Sequence, residues 1–147
     1  DSVMHLHTVH GMALSMLPEG LLPLSQHALR FYGRIGYHDY EGIALSTGER
    51  ERIVEALGTH RALVLRNHGT LTVGRTVGGA FVEMFYLEKA AQAQLIAQAT
   101  GEKLHHPTPA VCDLTARQWQ DDFDSDANRE WPALLRKLDR IDPSYKD

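Results

Sequence analysis

Several absences limit what this sequence can be. Its one cysteine, Cys112, cannot form an intrachain disulfide, which favours a cytoplasmic protein. No apolar run reaches the roughly 20 residues that a membrane helix needs, and the first residues lack the pattern of a signal peptide. Fifteen basic residues stand against 19 acidic ones with no basic cluster, so no nucleic-acid surface is expected. These absences predict one globular domain without a membrane or nucleic-acid partner.

Common cofactor and nucleophile motifs are missing as well. The sequence has no phosphate-binding P-loop, no G-x-G-x-x-G dinucleotide fingerprint and no G-x-S-x-G nucleophile elbow. Histidine, by contrast, is plentiful, with nine in 147 residues. Because imidazole is the commonest metal ligand in proteins, a metal site is the first kind of function to consider.

The metal hypothesis starts at the first predicted strand, which carries a His-x-His pair. Because strand side chains alternate between faces, His5 and His7 project together, whereas Met4 and Leu6 are expected to point into a buried layer. Imidazole suits zinc and the neighbouring transition metals. Two ligands rarely hold a metal tightly, and the best candidate for a third is His68.

Three imidazoles would leave at least one coordination position open, as in catalytic rather than structural zinc sites. An open Lewis acid can bind a carbonyl or hydroxyl oxygen and stabilise an enediolate. Each half of the pattern has an ordinary alternative. His5 and His7 could be polar residues on a half-exposed strand, and His68 could serve only its turn. The combination is what favours a metal.

Other histidines have simpler explanations. His10, one helical turn beyond the pair, is expected to pack or to support a ligand. His27 lies on a predicted short helix and is expected to be structural or solvated, with proton transfer as the alternative. Cys112 has helical spacing from apolar residues and is expected to be buried rather than nucleophilic.

Capping and periodicity predict a helix directly after the histidine pair. Thr8 can cap it, and Met12, Ala13 and Met16 are expected to lie on one face. A helix N-terminus at this point brings positive dipole charge close to His7, which would favour an anionic ligand nearby.

The remaining elements alternate irregularly. The apolar run 62–65 and the segment 70–73 predict a β-hairpin with His68 at its tip, and a long helix is predicted over 76–100. An acidic, exposed segment is expected over 121–128. Mixed elements without regular βαβ alternation indicate a layered α+β domain. Further predicted elements are a strand over 35–40 and helices over 25–32, 46–57, 108–121 and about 130–141.

Two motifs together resemble the class II aldolase and adducin family, which includes fuculose-phosphate aldolase-like enzymes. They are His-Leu-His-Thr at 5–8, followed by His10, and Leu-Arg-Asn-His-Gly at 65–69 with a long helix behind it. The resemblance covers about residues 3–101. The tail over 129–145 is similar to the bacterial adducin-like branch.

The resemblance implies a three-layer α/β/α fold around a mostly antiparallel central sheet. It implies that residues 1–147 are the C-terminal portion of one such domain, with a core over about 1–101 and a helical extension over about 107–147. It also implies a divalent metal on His5, His7 and His68, zinc before Mn²⁺, Co²⁺ or Fe²⁺. A small hydroxy-carbonyl substrate and a homotetramer are implied as well.

The sequence departs from the family in two places. The family's acid/base carboxylate and phosphate-binding loops lie upstream of the His-x-His strand. We therefore expect that an upstream part is missing and that this fragment is inactive alone. Aldolases of the family also carry a proton-donating tyrosine on the helix after the first motif. Approximate alignment puts His27 there, which makes His27 the candidate catalytic residue.

Three functions remain open at this point. The leading hypothesis is a metal-dependent lyase of the aldolase type in carbohydrate metabolism. An epimerase or dehydratase of the same family is the second, and a non-catalytic adducin-like scaffold is the third. A cupin-type site ranks below them, because cupins usually carry a glutamate three or four residues after the pair, where this chain has His10 and Gly11.

Overall fold

The computed structural model describes residues 1–43, 47–121 and 123–146. Within these ranges the chain forms four strands, six α-helices and a final 3₁₀ turn. In chain order they are β1 (Ser2–Leu6), α1 (Val9–Ser15), α2 (Gln26–Leu29), β2 (Ile35–His38), α3 (Thr47–Leu57), β3 (Ala62–Leu65), β4 (Gly69–Gly74), α4 (Val77–Ala99), α5 (Pro109–Asp121), α6 (Phe123–Ile141) and the 3₁₀ turn Pro143–Lys146.

The strands form one sheet in the order β1-β4-β3-β2. β4 pairs antiparallel with both β1 and β3, whereas β2 pairs parallel with β3. β3 and β4 are joined through residues 66–68, so the predicted hairpin with His68 in its turn is confirmed. The predicted mostly antiparallel sheet is confirmed too.

Helices cover both faces of this sheet. On one face, the hydroxyls of Thr70 and Thr72 reach α4, donating to Met84 Sδ at 3.4 Å and to the Ala80 carbonyl at 2.8 Å. On the opposite face, a β-carbon at Gly36 would lie 2.3 Å from the Ala56 carbonyl oxygen of α3. Because alternate strand residues face opposite ways, α3 and α4 must lie on different sides. The predicted three-layer α/β/α fold is confirmed.

The core lies where β3 crosses the middle of the sheet. Every residue of β3 is buried, as the continuous apolar run predicts. Val64 packs with Leu14 and Ala91, while Ala62 packs with Phe31 and Leu87. The core thus joins α1, α4 and the segment just after α2 to β3.

Polar residues begin the helices where the sequence indicates. Thr8, Ser25 and Thr76 each accept a hydrogen bond from the backbone N–H three residues further on, at 3.0–3.2 Å. Such caps satisfy N–H groups that have no partner within the helix. Ser46, the first residue of the helix predicted over 46–57, lies outside the described residues.

The longest helix, α4, is close to its prediction. It spans the 23 residues Val77–Ala99, and Thr100 is its C-cap, directly before Gly101. Cys112 of α5 is buried, also as predicted. No helix in the described ranges combines the length and the apolar composition needed to cross a bilayer.

The face of α1 that carries Met12, Ala13 and Met16 is not the face that is buried. Leu14 is fully buried, whereas Met16 is 58% exposed. The buried face is set by Gly11, where a β-carbon would lie 3.1 Å from the Thr70 hydroxyl oxygen of β4. The helix approaches the sheet along its smallest residue, which apolar periodicity alone does not reveal.

The predicted burial of Leu6 is also wrong, since its side chain is 39% exposed. Met4, two residues earlier, is half-buried. Leu6 is the last residue of β1, and in the described chain β1 pairs with β4 alone. The end of an edge strand has fewer neighbours to cover it than the end of a central strand.

The last helix starts earlier than predicted. α6 begins at Phe123 rather than near Glu130, so most of the acidic segment 121–128 is helical. Acidic residues are favoured at a helix N-terminus by the helix dipole, so their charge does not argue against a helix. Pro132 lies inside α6, although proline more often marks the first helical turn.

Candidate metal centre

The structure brings together the three histidines that the sequence singles out. His5, His7 and His68 each offer one ring nitrogen, and these nitrogens all lie within 4.8 Å of one another. The Nε2 atoms of His5 and His7 are 2.8 Å apart. The three ring centroids are separated by 4.6–4.9 Å. We call these three residues the histidine trio.

Strand pairing closes the long gap in sequence between the two halves of the trio. β1 and β4 run antiparallel in a register that sets His5 opposite Leu71 and Leu6 opposite Thr70. The end of β1 therefore lies beside the start of β4, which follows His68 directly. His7 comes just after β1, so all three rings meet at one corner of the sheet.

The ring of His5 is oriented by the backbone. Its Nδ1 lies 3.0 Å from the carbonyl oxygen of Thr70. Because a carbonyl oxygen can only accept, we assign the proton of the neutral ring to Nδ1, which leaves Nε2 free to act as a donor to a metal. Metal-binding histidines are commonly held this way by a carbonyl or carboxylate on the far nitrogen.

Gly69 allows the two strand ends to approach. A β-carbon at this position would lie 2.6 Å from the Leu6 carbonyl oxygen and 3.0 Å from Cδ2 of His7. Any larger residue would push β1 and the ring of His7 away from β4. The sequence placed Gly69 in the turn and in the motif at 65–69, but its position directly after a candidate ligand also signals a close approach of the backbone.

The surroundings favour the neutral form of His68. Burial lowers the pKa of its ring, and the nearby rings of His5 and His7 lower it further. The carboxylate of Glu49, buried on α3, raises the pKa of His68 and so partly opposes this lowering. Only a neutral imidazole can bind a metal, so the lowered pKa keeps His68 available as a ligand.

A carboxylate that sequence reasoning missed bonds to the residues that follow His7. Glu88 of α4 accepts hydrogen bonds from the Thr8 hydroxyl at 2.5 Å and from His10 Nδ1 at 2.7 Å. His10, which was expected to pack beside the ligands or to support one of them, thus has Glu88 as its hydrogen-bond partner. Glu88 is 80 residues from Thr8 along the chain, on a helix whose pattern indicated only core packing.

The candidate catalytic residue His27 lies elsewhere in this chain. It is on α2, and its ring stands edge-on to Tyr86 of α4 with 5.0 Å between centroids. The ring is exposed. The structure therefore does not bring His27 to the trio of the same chain, and its catalytic role stays a prediction.

The donor set of the trio fits a zinc-like ion. Nitrogen ligands lie about 2.0–2.1 Å from zinc, so three nitrogens this close can share one ion after small ring rotations. Among the described residues, no carboxylate or thiol joins this cluster. A three-ligand site of this kind retains a position for water or substrate, as catalytic zinc sites do.

Comparison with known proteins gives the same family that the two sequence motifs resemble. The family described as Class II Aldolase and Adducin N-terminal domain matches residues 1–95. A protein of Caulobacter vibrioides named for the class 2 aldolases is 47% identical over 146 residues, covering 99% of this chain and 57% of its own length.

Two solved structures share the fold. An aldolase II superfamily protein of Pseudomonas syringae is 42% identical with a TM-score of 0.94, over 99% of this chain and 59% of that one. An L-fuculose 1-phosphate aldolase of Glaciozyma antarctica is 26% identical with a TM-score of 0.75, over 94% of this chain and 53% of that one. The chain thus spans little more than half the length of the relatives it matches.

Proposed function

Because the chain belongs to the class II aldolase and adducin family, we propose that it forms the metal-binding part of a lyase. The lyase would act next to the carbonyl of a small hydroxy-carbonyl compound, such as a sugar derivative. The convergence of three ring nitrogens within 4.8 Å carries the proposal. Members of this family commonly use a divalent metal, and we propose zinc, with Mn²⁺, Co²⁺ or Fe²⁺ as the alternatives.

The residues of this chain would supply the ligands and their orientation. The Thr70 carbonyl holds the proton of His5 on Nδ1, so that Nε2 faces the other two rings. The lowered pKa of His68 keeps its ring neutral. When bound, a divalent ion would act as a Lewis acid on the carbonyl or hydroxyl oxygen of the substrate.

We further propose that the protein is a homo-oligomer, a tetramer by family resemblance, in which His27 transfers a proton at the trio of a neighbouring subunit. The exposed ring of His27 supports this, since it lies away from the trio of its own chain. Apolar side chains that stay accessible support the association, including Phe85 at 47% exposed and Ile141 at 70%.

Metal content is the first test. Elemental analysis of the protein should give about one zinc-like ion per chain, and the His5→Ala/His7→Ala variant should give none. The matched control is His105→Ala/His106→Ala, which removes two exposed histidines outside the trio. Equal metal in all three proteins, or none after zinc is resupplied, would contradict the proposal.

Activity is the second test, and it needs the protein that contains this chain together with the rest of the domain. Cleavage of hydroxy-ketones or hydroxy-aldehydes that stops with a chelator and returns with zinc is the expected result. Products that keep the carbon skeleton would instead indicate an epimerase or dehydratase. Bound metal without turnover across the panel would favour the non-catalytic, adducin-like scaffold.

A further inference from the structure

We infer that Glu88 is a positioning residue for the metal ligand His7, acting through Thr8 and His10. The inference rests on the proposed metal site and adds to it a carboxylate that lies 80 residues from Thr8 along the chain. Glu88 touches none of the three ligands in the described contacts. Its role is to fix the turn between strand β1 and helix α1, on which His7 lies.

Both oxygens of Glu88 are engaged at this turn. Oε2 accepts from the Thr8 hydroxyl at 2.5 Å, and Oε1 accepts from His10 Nδ1 at 2.7 Å. The Thr8 oxygen in turn accepts from the backbone N–H of Gly11 at 3.2 Å. One carboxylate therefore fixes both the N-cap and the first turn of α1. Glu88 is only partly exposed, at 23% of its side chain, which strengthens bonds to a charged acceptor.

The position of Glu88 is itself fixed relative to the third ligand. α4 is attached to β4 by the bonds of Thr70 to Met84 and of Thr72 to Ala80. β4 begins directly after His68. The same helix thus holds β4, which carries His68 at its start, and the turn that carries His7. β1 and α1 also pack on α4, but Glu88 supplies hydrogen bonds from α4 to the turn that follows His7.

The effect should appear in metal affinity rather than only in stability. Partners that orient metal ligands typically change affinity by about 10–100-fold when they are removed. Because Glu88 acts through Thr8 and not on an imidazole, we expect the lower end, about tenfold. A residue that merely stabilises α4 would lower the melting temperature and leave the zinc affinity of the folded protein unchanged.

The experiment compares zinc affinity, by competition with a chromogenic chelator, in the protein and three variants. Glu88→Ala removes both hydrogen bonds. Glu88→Gln keeps both, because its carbonyl accepts from Thr8 and its amide can donate to His10 Nδ1 once the ring proton moves to Nε2. Val82→Ala is the destabilising control, a buried residue of the same helix that takes no part in these bonds.

We expect Glu88→Ala to bind zinc about tenfold more weakly than the unmodified protein. The zinc affinities of Glu88→Gln and Val82→Ala should stay within about twofold of the unmodified protein. Thermal melts show that each variant is folded at the temperature of the titration. Equal zinc affinity in Glu88→Ala and Val82→Ala would overturn the inference and leave the metal site intact. A failure of the unmodified protein to bind zinc would overturn the proposed metal site and this inference with it.

Discussion

Gly69 shows how a residue without a side chain can control the candidate site. The space that a β-carbon would need is taken by the Leu6 carbonyl and the His7 ring. Gly69→Ala should therefore separate the end of β1 from β4. We expect zinc to bind about 10–100-fold more weakly, as for other losses of ligand orientation. Overpacking should cost about 1–3 kcal/mol in the free energy of unfolding. Zinc titration and urea unfolding measure the two effects.

A matched glycine separates this effect from glycine replacement in general. Gly48 lies in the first turn of α3, where, within the described part of the chain, a β-carbon would meet only the flexible end of Arg52 at 3.4 Å. Gly48→Ala should leave zinc affinity unchanged and raise stability by up to about 1 kcal/mol, since alanine favours a helix. If Gly69→Ala behaves like Gly48→Ala, the close approach of the strands does not control the site.

At the scale of single elements, what the sequence predicted depends on how local each signal is. The cap at Thr8, the start of the long helix at Thr76 and the hairpin around His68 follow from neighbouring residues, and all are confirmed. The inner face of α1 depends instead on how Gly11 meets Thr70, which lies in another element. The start of α6 is predicted near Glu130 because the acidic segment 121–128 is expected to be an exposed segment, whereas the helix begins at Phe123.

The packing of α2 on α4 depends on a buried ion pair. Arg30 donates to Glu83 through Nε at 3.0 Å and Nη2 at 3.2 Å, and both side chains are at least 95% buried. The guanidinium also lies against the rings of Tyr86 and Trp119, 4.9 and 4.8 Å from their centroids. Glu83→Ala should destabilise the fold by about 3–5 kcal/mol, because it leaves a buried charge without its main partner.

Urea unfolding measures this loss, with Glu102→Ala as the control, an exposed acidic residue just after α4 that should change stability by no more than about 0.5 kcal/mol. Replacing the whole pair by Arg30→Met/Glu83→Leu should recover much of the loss, since buried pairs contribute little beyond their apolar equivalents. A Glu83→Ala midpoint equal to that of Glu102→Ala would show that the pair does not hold α2 in place.

At the scale of the whole molecule, the site depends on contacts that join distant parts of the chain. The motifs identified the three candidate ligands, but not the atoms that hold them. The Thr70 carbonyl is 65 residues from His5, and Glu88 is 78 residues from His10. Such pairs follow from strand register and helix packing, which no local pattern specifies. The motifs therefore carry the chemistry, and the fold supplies the orientation.

Because the trio draws on β1 and on the β3–β4 turn, a bound ion should stabilise the entire fold. A ligand that binds only the folded state at about 100 times its dissociation constant adds about 2.7 kcal/mol. For a domain of this size, each kcal/mol raises the melting temperature by about 2–4 °C. Zinc should therefore raise it by about 5–10 °C at neutral pH, and a chelator should reverse the rise. Differential scanning calorimetry measures both.

Acid should abolish this stabilisation, because protons compete with the metal for the same nitrogens. The pKa of His68 is lowered from 6.5 by burial first and by His5 and His7 next. The unfolded chain therefore takes up this proton at a higher pH than the folded chain does. The stability that His68 contributes is complete above about pH 6.5 and is lost as the pH falls through its lower folded value. The rise in melting temperature caused by zinc should therefore become smaller as the pH falls. The stability of the metal-free protein should fall over the same pH range.

Two comparisons make this result specific to the trio. The His105→Ala/His106→Ala variant should keep the full zinc shift, and His5→Ala/His7→Ala should show none. Magnesium should have no effect on the unmodified protein, since it requires oxygen ligands and the trio offers nitrogen. An equal zinc shift in both double variants would locate the ion at other histidines. The trio would then be a packed cluster at a strand end, and the family's metal chemistry would not apply to this chain.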